Sequence, residues 1–326
     1  MRVEWLHNNR EDRSSGSFMW DIYDRLVTVA GLDLTLTAIP VIRRPGDLAQ
    51  VLVARGSRSG RALLHGQFGS FVGLMTGWKR ARRRIVSLRG SDIYWSYGGL
   101  SDRIGGLLRV LMSWLGCLRC DGIVVMSHAM ARQIGRWPFM GRRPVHVLVD
   151  PAGALFWPAS AASIAAQLRS HPFKVLIASL AENNPVKRLD LVADAVELCQ
   201  QTGMAVRLNA ISGMTREAVR DAIAGADSVA LASTHEGWPN IVKEALLLGR
   251  PFVATPVSDL AAWAGSHDNS RVVAAHPLNF AMAWVDQIAA KVLEPMGIAP
   301  ALAQFHPDVC ALKHALLYRC YADASS

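Results

Sequence analysis

The chain has 326 residues, of which 51% are hydrophobic and 19% charged, a composition typical of well-packed globular proteins with room for two domains. It lacks both an apolar run of the ~20 residues that a membrane-spanning helix needs and the apolar core of a signal peptide, so we expect a cytoplasmic protein. The net charge of +9 is uneven: residues 1–158 hold 22 Lys and Arg against 11 Asp and Glu, whereas residues 159–326 hold 13 against 15. We therefore expect the first half to meet a partner that carries phosphates or an anionic surface.

Short apolar runs alternate with amphipathic segments along the whole chain. In the first half, the runs that we predict as strands are "RVEWLH", "DLTLTAIP", "RALLH", "RIVSL", "DGIVVMS" and "PVHVLV". In the second half they are "FKVLIAS", "AVRLNAIS", "SVALAS", "PFVAT" and "RVVAA". Most of these runs are continuously apolar, which indicates parallel sheets covered on both faces. The strand–helix repetition predicts an α/β fold of two doubly wound, Rossmann-like domains that face each other across a cleft.

The amphipathic segments between these runs predict helices. In the second half they lie near 186–201, 215–224, 240–248 and 277–294. In the first half, a helix near 101–118 carries apolar residues along one face, namely Ile104, Leu107, Leu108, Leu111, Leu115 and Leu118. We expect this face to pack on the helix's own sheet, and the alternative is that the helix lies on a membrane.

The periodic pattern breaks in "FWPASAASIAAQLRSHPF" (156–173), where a proline and a Ser/Ala-rich stretch intervene. We therefore predict domains at 1–158 and 159–326, with a last helix, at about 306–322, that packs back on the first domain. Five scattered cysteines, at 117, 120, 199, 310 and 320, predict buried thiols, because the CxxC pair lacks further ligands at zinc spacing. We expect no metal site.

The stretch "THEGWPNIVKEALLLG" (234–249) follows a buried run and places Glu236 and Glu244 eight positions apart. Proline suits a first helical turn, so we expect a helix to begin around Pro239–Asn240 with its free amides facing the strand ends, where they can bind phosphate. These amides belong to Asn240, Ile241 and Val242. Glu244 is then placed to accept hydrogen bonds from ribose hydroxyls, and Glu236 to meet hydroxyls beyond the phosphates. On spacing alone, two ordinary acids that stabilise the helix start explain the pattern equally well.

Several segments resemble one family of enzymes. "EGWPNIVKEALLLGRPFVAT" resembles the E-x7-E segment of glycosyltransferase family 4, which are retaining enzymes of the GT-B fold. Five further segments resemble segments of the family and follow one another in the order that the family has. They are "LLHGQFGS", "IVSLRGSD", "CDGIVVMSHAMARQI", "VHVLVDPAGALFWP" and "NNPVKRLDLVADAV". The resemblance, which runs from about residue 60 to 260, implies that the second domain binds a nucleotide sugar and the first domain the acceptor.

The resemblance also implies roles for single residues. Glu236 binds the transferred sugar and Glu244 the ribose, while Lys187, with Arg188 beside it, neutralises the leaving diphosphate. The other donor-binding residues are Gly237, Trp238, Pro239, Asn240, Ile241 and Val242. No metal or cofactor is implied. A solvated helix start is the alternative for Lys187 and Arg188, although cations oppose the helix dipole there.

The chain departs from the family pattern at three places. Arg89, which we count among the catalytic positions, stands where many members have the histidine of an "HGSD"-like turn that serves the sugar through its backbone carbonyl. Ser179–Leu180 stands where the family often has an arginine. After "RLNAIS" the chain goes almost directly to "TREAVRDAIAGADSV", so the wall that would bind the base is undefined.

Two further signals lie near strand ends of the first domain. In "SSGSF" (14–18), Ser15, Gly16 and Ser17 are candidates for an acceptor or phosphate loop, because glycine lets backbone approach a ligand. An N-capped loop is the alternative. His65 is a candidate acceptor contact, with a structural histidine as the alternative.

Basic residues of the first domain cluster in "WKRARRR" (78–84) and at Arg55, Arg58 and Arg61. Solvated surface is one interpretation, and nucleic acid is not expected because no nucleic-acid module is recognisable. We favour an anionic membrane that presents a lipid-linked acceptor.

Together these patterns predict a metal-independent, retaining glycosyltransferase of polysaccharide biosynthesis, either free in the cytoplasm or peripheral on the inner face of the cell membrane. It would move a sugar from a nucleotide-diphosphate sugar to a glycan or a lipid-linked acceptor. Two alternatives remain open: a nucleotide-sugar epimerase or hydrolase of the same fold, and a non-catalytic, membrane-associated subunit that binds sugar nucleotides.

Overall fold

The structure is a computed structural model that describes residues 1–9, 17–29, 31–39, 62–90, 92–94, 100–152, 157, 166, 172–178, 185–236, 238–264 and 269–323. The chain divides into two compact units. The first comprises Met1–Gly153 with Tyr321–Ser326, and the second Ala154–Cys320. The described residues of each unit contain one parallel sheet.

The first unit is built on six strands in the order β2-β1-β3-β4-β5-β6, all paired in parallel. They are β1 (Arg2–His7), β2 (Asp33–Ala38), β3 (Leu63–Gly66), β4 (Arg83–Leu88), β5 (Gly122–Val125) and β6 (Val145–Val147). The described helices of this unit are α1 (Ser17–Leu26), α2 (Ser70–Trp78), α3 (Leu100–Cys117) and α4 (His128–Gly135). Every residue of β3 and β5 is buried, as expected for central strands with both faces covered.

The second unit has five parallel strands in the order β11-β10-β9-β7-β8. They are β7 (Phe173–Ala178), β8 (Val206–Ile211), β9 (Ser228–Leu231), β10 (Phe252–Ala254) and β11 (Arg271–Val272). Its described helices are α5 (Leu189–Gln201), α6 (Arg216–Ala224), α7 (Asn240–Leu247), α8 (Leu260–Ala264), α9 (Pro277–Leu293) and α10 (Pro307–Asp323), and the end of α10, from Tyr321 onward, belongs to the first unit. Short 3-10 turns occupy Pro185–Lys187, Glu294–Met296 and Pro300–Phe305.

The two sheets share one topology, in which the first strand of the unit lies between its second and third strands. This is the order of a doubly wound sheet, so the α/β class with two Rossmann-like units is confirmed. All eleven strands predicted from the apolar runs appear among the described residues. That the units face each other across a cleft stays a prediction, as do the domain limits, because most of 156–173 lies outside the described residues. None of the described helices combines the length and hydropathy needed to cross a bilayer.

The predicted thiols are confirmed as buried at Cys117, Cys120, Cys199 and Cys310, whereas Cys320 is only half-buried. Burial raises the pKa of Cys120 to about 12. It also raises the pKa of Cys199 well above the usual value of a thiol. The thiols of Cys120 and Cys199 therefore stay protonated at neutral pH, so both residues fill the core and supply no reactive thiolate.

The start of the helix predicted at 186–201 was wrong by three residues. Pro185–Lys187 forms a 3-10 turn, and α5 begins only at Leu189. The reason is Arg188, whose backbone is left-handed (φ 46°) and therefore cannot continue a right-handed helix. Lys187 and Arg188 thus precede the helix, which places Lys187 in the loop that follows β7.

The prediction that the apolar face of α3 packs on its own sheet was also wrong. Ile104, Leu107, Leu108 and Leu111 are 43–52% exposed. The buried side of α3 carries small residues instead, namely Gly106, Ser113, Gly116 and Cys117. Periodicity indicates that a helix is amphipathic, but it does not say which of its faces the rest of the chain covers.

Glycines explain why α3 buries this side. A Cβ atom added at Gly116 would lie 2.4 Å from the carbonyl carbon of Gly73 in α2, so the two helices pack backbone against backbone. Ser113 completes the contact, because its Oγ accepts a hydrogen bond of 2.6 Å from the amide of Ser70. The close approach of α2 and α3 leaves the leucines of α3 facing outward.

We predict that Gly116→Ala destabilises the protein by about 1–3 kcal/mol, because the added methyl group meets backbone that cannot move aside. Gly105→Ala in the same helix is the matched control: the new Cβ meets only the tip of Arg109, at 3.8 Å. This control is expected to stabilise the helix by about 0.5–1 kcal/mol. Urea unfolding of both variants measures the difference, and equal midpoints would contradict the packing described for α2 and α3.

Candidate functional site

The topology of the second sheet identifies where a ligand binds. In doubly wound sheets ligands bind at the carboxyl ends of the strands, where the strand order reverses. In this unit that point lies between β7 and β9, which are direct neighbours in the sheet. Lys187 lies on the loop after β7, and Glu236 on the loop after β9. Both residues were predicted from the sequence as catalytic, and the structure brings them together.

Lys187 and Glu236 form an ion pair, with 2.6 Å between Lys187 Nζ and Glu236 Oε1. Their side chains are only 19% and 17% exposed, so solvent screens the pair weakly. Ser233 Oγ donates a second hydrogen bond of 2.7 Å to the same carboxylate oxygen. Within the described residues, Oε2 of Glu236 therefore receives no donor and stays open to a ligand.

Two hydrogen bonds to main-chain carbonyls hold the loops that carry Lys187 and Glu236. The amide of Thr234 donates to the carbonyl of Val186 at 2.9 Å, which ties the loop after β9 to the loop after β7. On the other side, Thr255 Oγ1, which follows β10, donates to the carbonyl of Ser233 at 2.6 Å. Three neighbouring strand ends thus fix the position of Glu236, which preorganises the carboxylate before any ligand binds.

The pKa of Glu236 is held below its usual value. Desolvation alone would raise this pKa, but the hydrogen bonds from Lys187 and Ser233 outweigh it. The carboxylate is therefore ionised at neutral pH and acts as a hydrogen-bond acceptor. It is not a proton donor.

Arg188 lies next in sequence but is turned elsewhere. Its Nε donates to the carboxylate of Asp190 at 3.2–3.3 Å, in the first turn of α5. The structure therefore does not place Arg188 with Lys187 and Glu236, although both cations were predicted to neutralise the same leaving group.

Helix α7 begins at Asn240 after Pro239, whose backbone is extended (ψ 119°) and which caps the helix without a side-chain hydrogen bond. The amide of Val242 donates to the Pro239 carbonyl at 3.2 Å, so the expectation that this amide is free was wrong. The tightened first turn leaves two amides, those of Asn240 and Ile241, without a backbone acceptor among the described residues. The side chain of Ile241 is buried, so only its backbone is available to a ligand.

Trp238, another predicted donor-binding residue, makes its described ring contacts with residues of α7 and α8. Its ring packs edge to face on Trp263 with centroids 5.4 Å apart, and Lys243 Nζ lies 5.8 Å from its centroid. Trp238 also packs against the apolar core beneath α7. These contacts fix the loop before α7, and a donor-binding role for Trp238 stays a prediction.

Glu244 lies one helical turn beyond Asn240, and both line a groove of about 500 Å³. The walls of this groove are mostly apolar and come from β8, α6 and α7: Ile211, Met214, Val219, Ile223, Ile241, Leu247 and Leu248. Arg216 and Arg220 stand in the same lining, and Arg216 forms a 3.7 Å ion pair with Glu244. Because Arg216 is 93% exposed, this pair is weak.

Sequence reasoning missed the walls of this groove and left that part of the unit undefined. Ile211 ends β8, and Val219 and Ile223 lie on the inner face of α6. The available signal was topological, since β8 pairs with β7 and must end beside the predicted site. The pairing of β8 with β7 is known only once the order of the strands in the sheet is known, so the sequence alone did not reveal these walls.

Arg89, predicted as catalytic, lies in the first unit just after β4 and is almost fully buried. Its Nε donates to the Gln67 carbonyl at 2.8 Å, its second terminal nitrogen donates to Gln67 Oε1 at 3.2 Å, and its first pairs with Asp150. The guanidinium also lies 4.2 Å from the ring centroid of Phe18. Arg89 thus joins the ends of β3, β4 and β6, a structural role that the sequence did not reveal.

His65, predicted as an acceptor contact, is fully buried in β3. Its Nε2 lies 2.8 Å from Ser87 Oγ and its Nδ1 3.1 Å from Gln67 Nε2. Both ring nitrogens are therefore bound to protein. His65 orients Gln67, which in turn holds Arg89, so an acceptor contact at His65 is not supported.

The remaining predicted positions lie mostly beyond the described part of the chain. Ser15, Gly16 and Gly237 lie outside the described residues, and so do Ser179–Leu180, Arg55, Arg58 and Arg61. Ser17 is the first residue of α1, but its side chain is not described. Across the described ranges, no three His, Cys, Asp or Glu side chains cluster as metal ligands.

Residues 160–290 match the model of the family described as glycosyl transferases group 1. The match spans the loop after β7, the loop after β9, and α7, so it contains Lys187, Glu236 and Glu244. The predicted resemblance to glycosyltransferases is therefore confirmed over residues 160–290.

Solved structures give looser likenesses over nearly the whole chain. Sucrose-phosphate synthase from Thermosynechococcus elongatus matches with 13% identity and a TM-score of 0.43, covering all of both chains. HepE from Anabaena, in complex with UDP-glucose, matches with 15% identity and a TM-score of 0.31, over 100% of this chain and 99% of that one. The N-terminal domain of Candida albicans trehalose-6-phosphate phosphatase matches with 8% identity and a TM-score of 0.37, over 98% and 97%. No curated protein matches significantly.

We predict that Glu236→Gln costs roughly 1 kcal/mol of stability at neutral pH, since the ion pair with Lys187 is lost and the hydrogen bond from Ser233 becomes a neutral one. The folded pKa of Glu236 lies below its usual value of 4.5, so the ionised side chain stabilises the fold above that pH. This contribution is lost as the pH falls through the lowered pKa. Urea unfolding from about pH 7 to about pH 3 should show wild type and variant converging in acid.

The control for this series is Glu217→Gln, which removes an exposed acid from the first turn of α6. Its difference from the wild type should stay small across the same range. A gap between wild type and Glu236→Gln that remained constant into acid would contradict the lowered pKa.

Proposed function

We propose that this chain is a retaining glycosyltransferase that moves a sugar from a nucleotide-diphosphate sugar to a glycan or lipid-linked acceptor. The observation that carries the proposal is the partly buried Lys187–Glu236 pair at the reversal point of the second sheet, next to the open start of α7. The family match covers the same segment. A cation, an anion and free amides there supply the groups that an activated sugar needs.

In this proposal the diphosphate lies between Lys187 and the start of α7. The amides of Asn240 and Ile241 and the positive end of the helix dipole bind phosphate oxygens. The ammonium group has three N–H donors, so Lys187 can keep its hydrogen bond to Glu236 and donate to the diphosphate as well. Because negative charge grows on the diphosphate as the glycosidic bond breaks, a cation already in place stabilises the transition state.

Glu236 is assigned to the transferred sugar. Its Oε1 is engaged by Lys187 and Ser233, and its Oε2 faces no donor among the described residues. A sugar hydroxyl that donates to Oε2 would form a charge-assisted hydrogen bond, which is stronger than a neutral one. The lowered pKa keeps the carboxylate in its accepting form throughout the neutral range.

Glu244 and the groove beside it are assigned to the nucleoside. The carboxylate accepts hydrogen bonds from the two ribose hydroxyls, and the apolar wall of α6 and β8 offers a surface for the face of a base. A volume of about 500 Å³ lies within the range of small-ligand pockets. Arg216 and Arg220 at this groove provide donors for the polar edge of a base.

The mechanism we propose is a front-face displacement in which the departing phosphate takes the proton of the acceptor hydroxyl. Lys187 and the helix amides perform the charge neutralisation, and no metal is assigned to the site. Product formed in the presence of a chelator, with the anomeric configuration read by NMR, tests metal independence and retention together.

The acceptor is assigned to the first unit. The excess of Lys and Arg in residues 1–158 supports an acceptor held on a phosphate-bearing lipid, as in polysaccharide assembly at the inner face of a cell membrane. This assignment is independent of the donor site.

We predict that Glu244→Ala weakens binding of the donor at least tenfold, because hydrogen bonds to a charged group contribute roughly 1.5–3 kcal/mol and tenfold is about 1.4 kcal/mol. The fold should be little affected, since the only described ion pair of Glu244 is the weak one with Arg216. Glu217→Ala in the facing helix is the control and should bind the donor as the wild type does. Titration calorimetry with a panel of nucleotide sugars measures both, and an unchanged dissociation constant for Glu244→Ala would refute its role.

A further inference from the structure

The outer face of α3 is an uncovered apolar surface. Five large side chains spaced at helical intervals are exposed by 43–76%, and they are Leu100, Ile104, Leu107, Leu108 and Leu111. The opposite side of α3 packs against α2, where Gly116 meets Gly73. Soluble proteins rarely expose a contiguous group of large apolar side chains unless it binds something.

A neighbouring loop extends this surface. Trp114 Nε1, in the same helix, donates to the Pro138 carbonyl at 3.0 Å, which fixes the loop after α4 beside α3. The next residue, Phe139, is 82% exposed and has a left-handed backbone (φ 63°). Holding an aromatic ring in water on a disfavoured backbone costs free energy that burial of the ring in a partner would offset. We call the five α3 residues together with Phe139 the α3 surface.

The charges around the α3 surface are mostly positive. Residues 100–149 contain seven arginines and two acidic residues, Asp102 and Asp121. The arginines that are exposed are Arg103, Arg119, Arg132, Arg136 and Arg142. Arg103 lies within α3 one turn from both Leu100 and Leu107, and Arg136 and Arg142 flank the loop of Phe139. Apolar side chains surrounded by arginines are complementary to a lipid bilayer that has an apolar interior and anionic headgroups.

We propose that the first unit docks on an anionic lipid bilayer through the α3 surface. Leucines and Phe139 enter the boundary between headgroups and acyl chains, while the flanking arginines meet lipid phosphates, as in helices that lie in the membrane plane. A second copy of the chain is the less suitable occupant, because a symmetric contact would bring the arginines of both copies together. The inference does not depend on the donor site.

Vesicle flotation of the full chain tests the proposal, with vesicles of phosphatidylcholine alone and with phosphatidylglycerol added. The wild type should float with the anionic vesicles and much less with the neutral ones. The double variant Ile104→Gln/Leu108→Gln keeps good helix formers on exposed positions and should lower the partition coefficient at least tenfold. Leu302→Gln, which replaces a leucine that is 49% exposed in the second unit, is the matched control and should float as the wild type does.

Flotation also separates the contribution of the arginines from that of the apolar side chains, and sedimentation distinguishes a lipid bilayer from a second copy of the chain. Arg103→Gln/Arg142→Gln should weaken flotation with anionic vesicles and flatten its salt dependence, while leaving the small partition into neutral vesicles unchanged. Equal flotation of the wild type and the Ile104→Gln/Leu108→Gln variant would overturn the proposal, as would a wild type that floats with neither vesicle. So would sedimentation showing a lipid-free dimer that this variant abolishes, since a second copy would then cover the surface. The Ile104→Gln/Leu108→Gln variant should bind nucleotide sugars as the wild type does. A loss of donor binding would therefore be distinguished from a loss of membrane binding.

Discussion

The ion pair between Lys187 and Glu236 is the contact on which the second unit's site depends. It joins the loops that leave two neighbouring strands, and the Thr234–Val186 main-chain hydrogen bond and the Thr255–Ser233 hydrogen bond hold those loops in register. A preplaced cation and anion need little reorganisation when charge moves in a bound substrate. The hydrogen bonds from Lys187 and Ser233 also keep the carboxylate of Glu236 ionised, although it is partly buried.

The two units share a strand order but carry different groups at their described strand ends. In the second unit the strand ends present Lys187, Glu236 and the start of α7, which are groups that bind an anion and hydroxyls. In the first unit the described ends of β3, β4 and β6 carry a network of protein groups instead, in which His65 orients Gln67, and Gln67 and Asp150 hold Arg89. Equal topology therefore does not imply equal chemistry, and among the described residues only the second unit offers the groups expected for an activated sugar.

Much of this fold follows from the sequence because the strands are continuous apolar runs, and the family resemblance located Lys187, Glu236 and Glu244. Contacts between distant segments were not predictable. The burial of Arg89 depends on Asp150, and the groove beside Glu244 needs the pairing of β8 with β7. The outward turn of the α3 leucines depends on the fit of Gly116 against Gly73, which no periodicity records. The backbone conformation of single residues was not predictable either, since the left-handed Arg188 delays the start of α5 by three residues.

A crystal structure of the wild-type chain with a nucleotide-diphosphate sugar tests the central claim most directly. We expect diphosphate oxygens within about 3 Å of Lys187 Nζ and of the Asn240 and Ile241 amides, with a sugar hydroxyl at Glu236 Oε2. A diphosphate bound elsewhere, or a Lys187–Glu236 pair that makes no contact with it, would contradict the account.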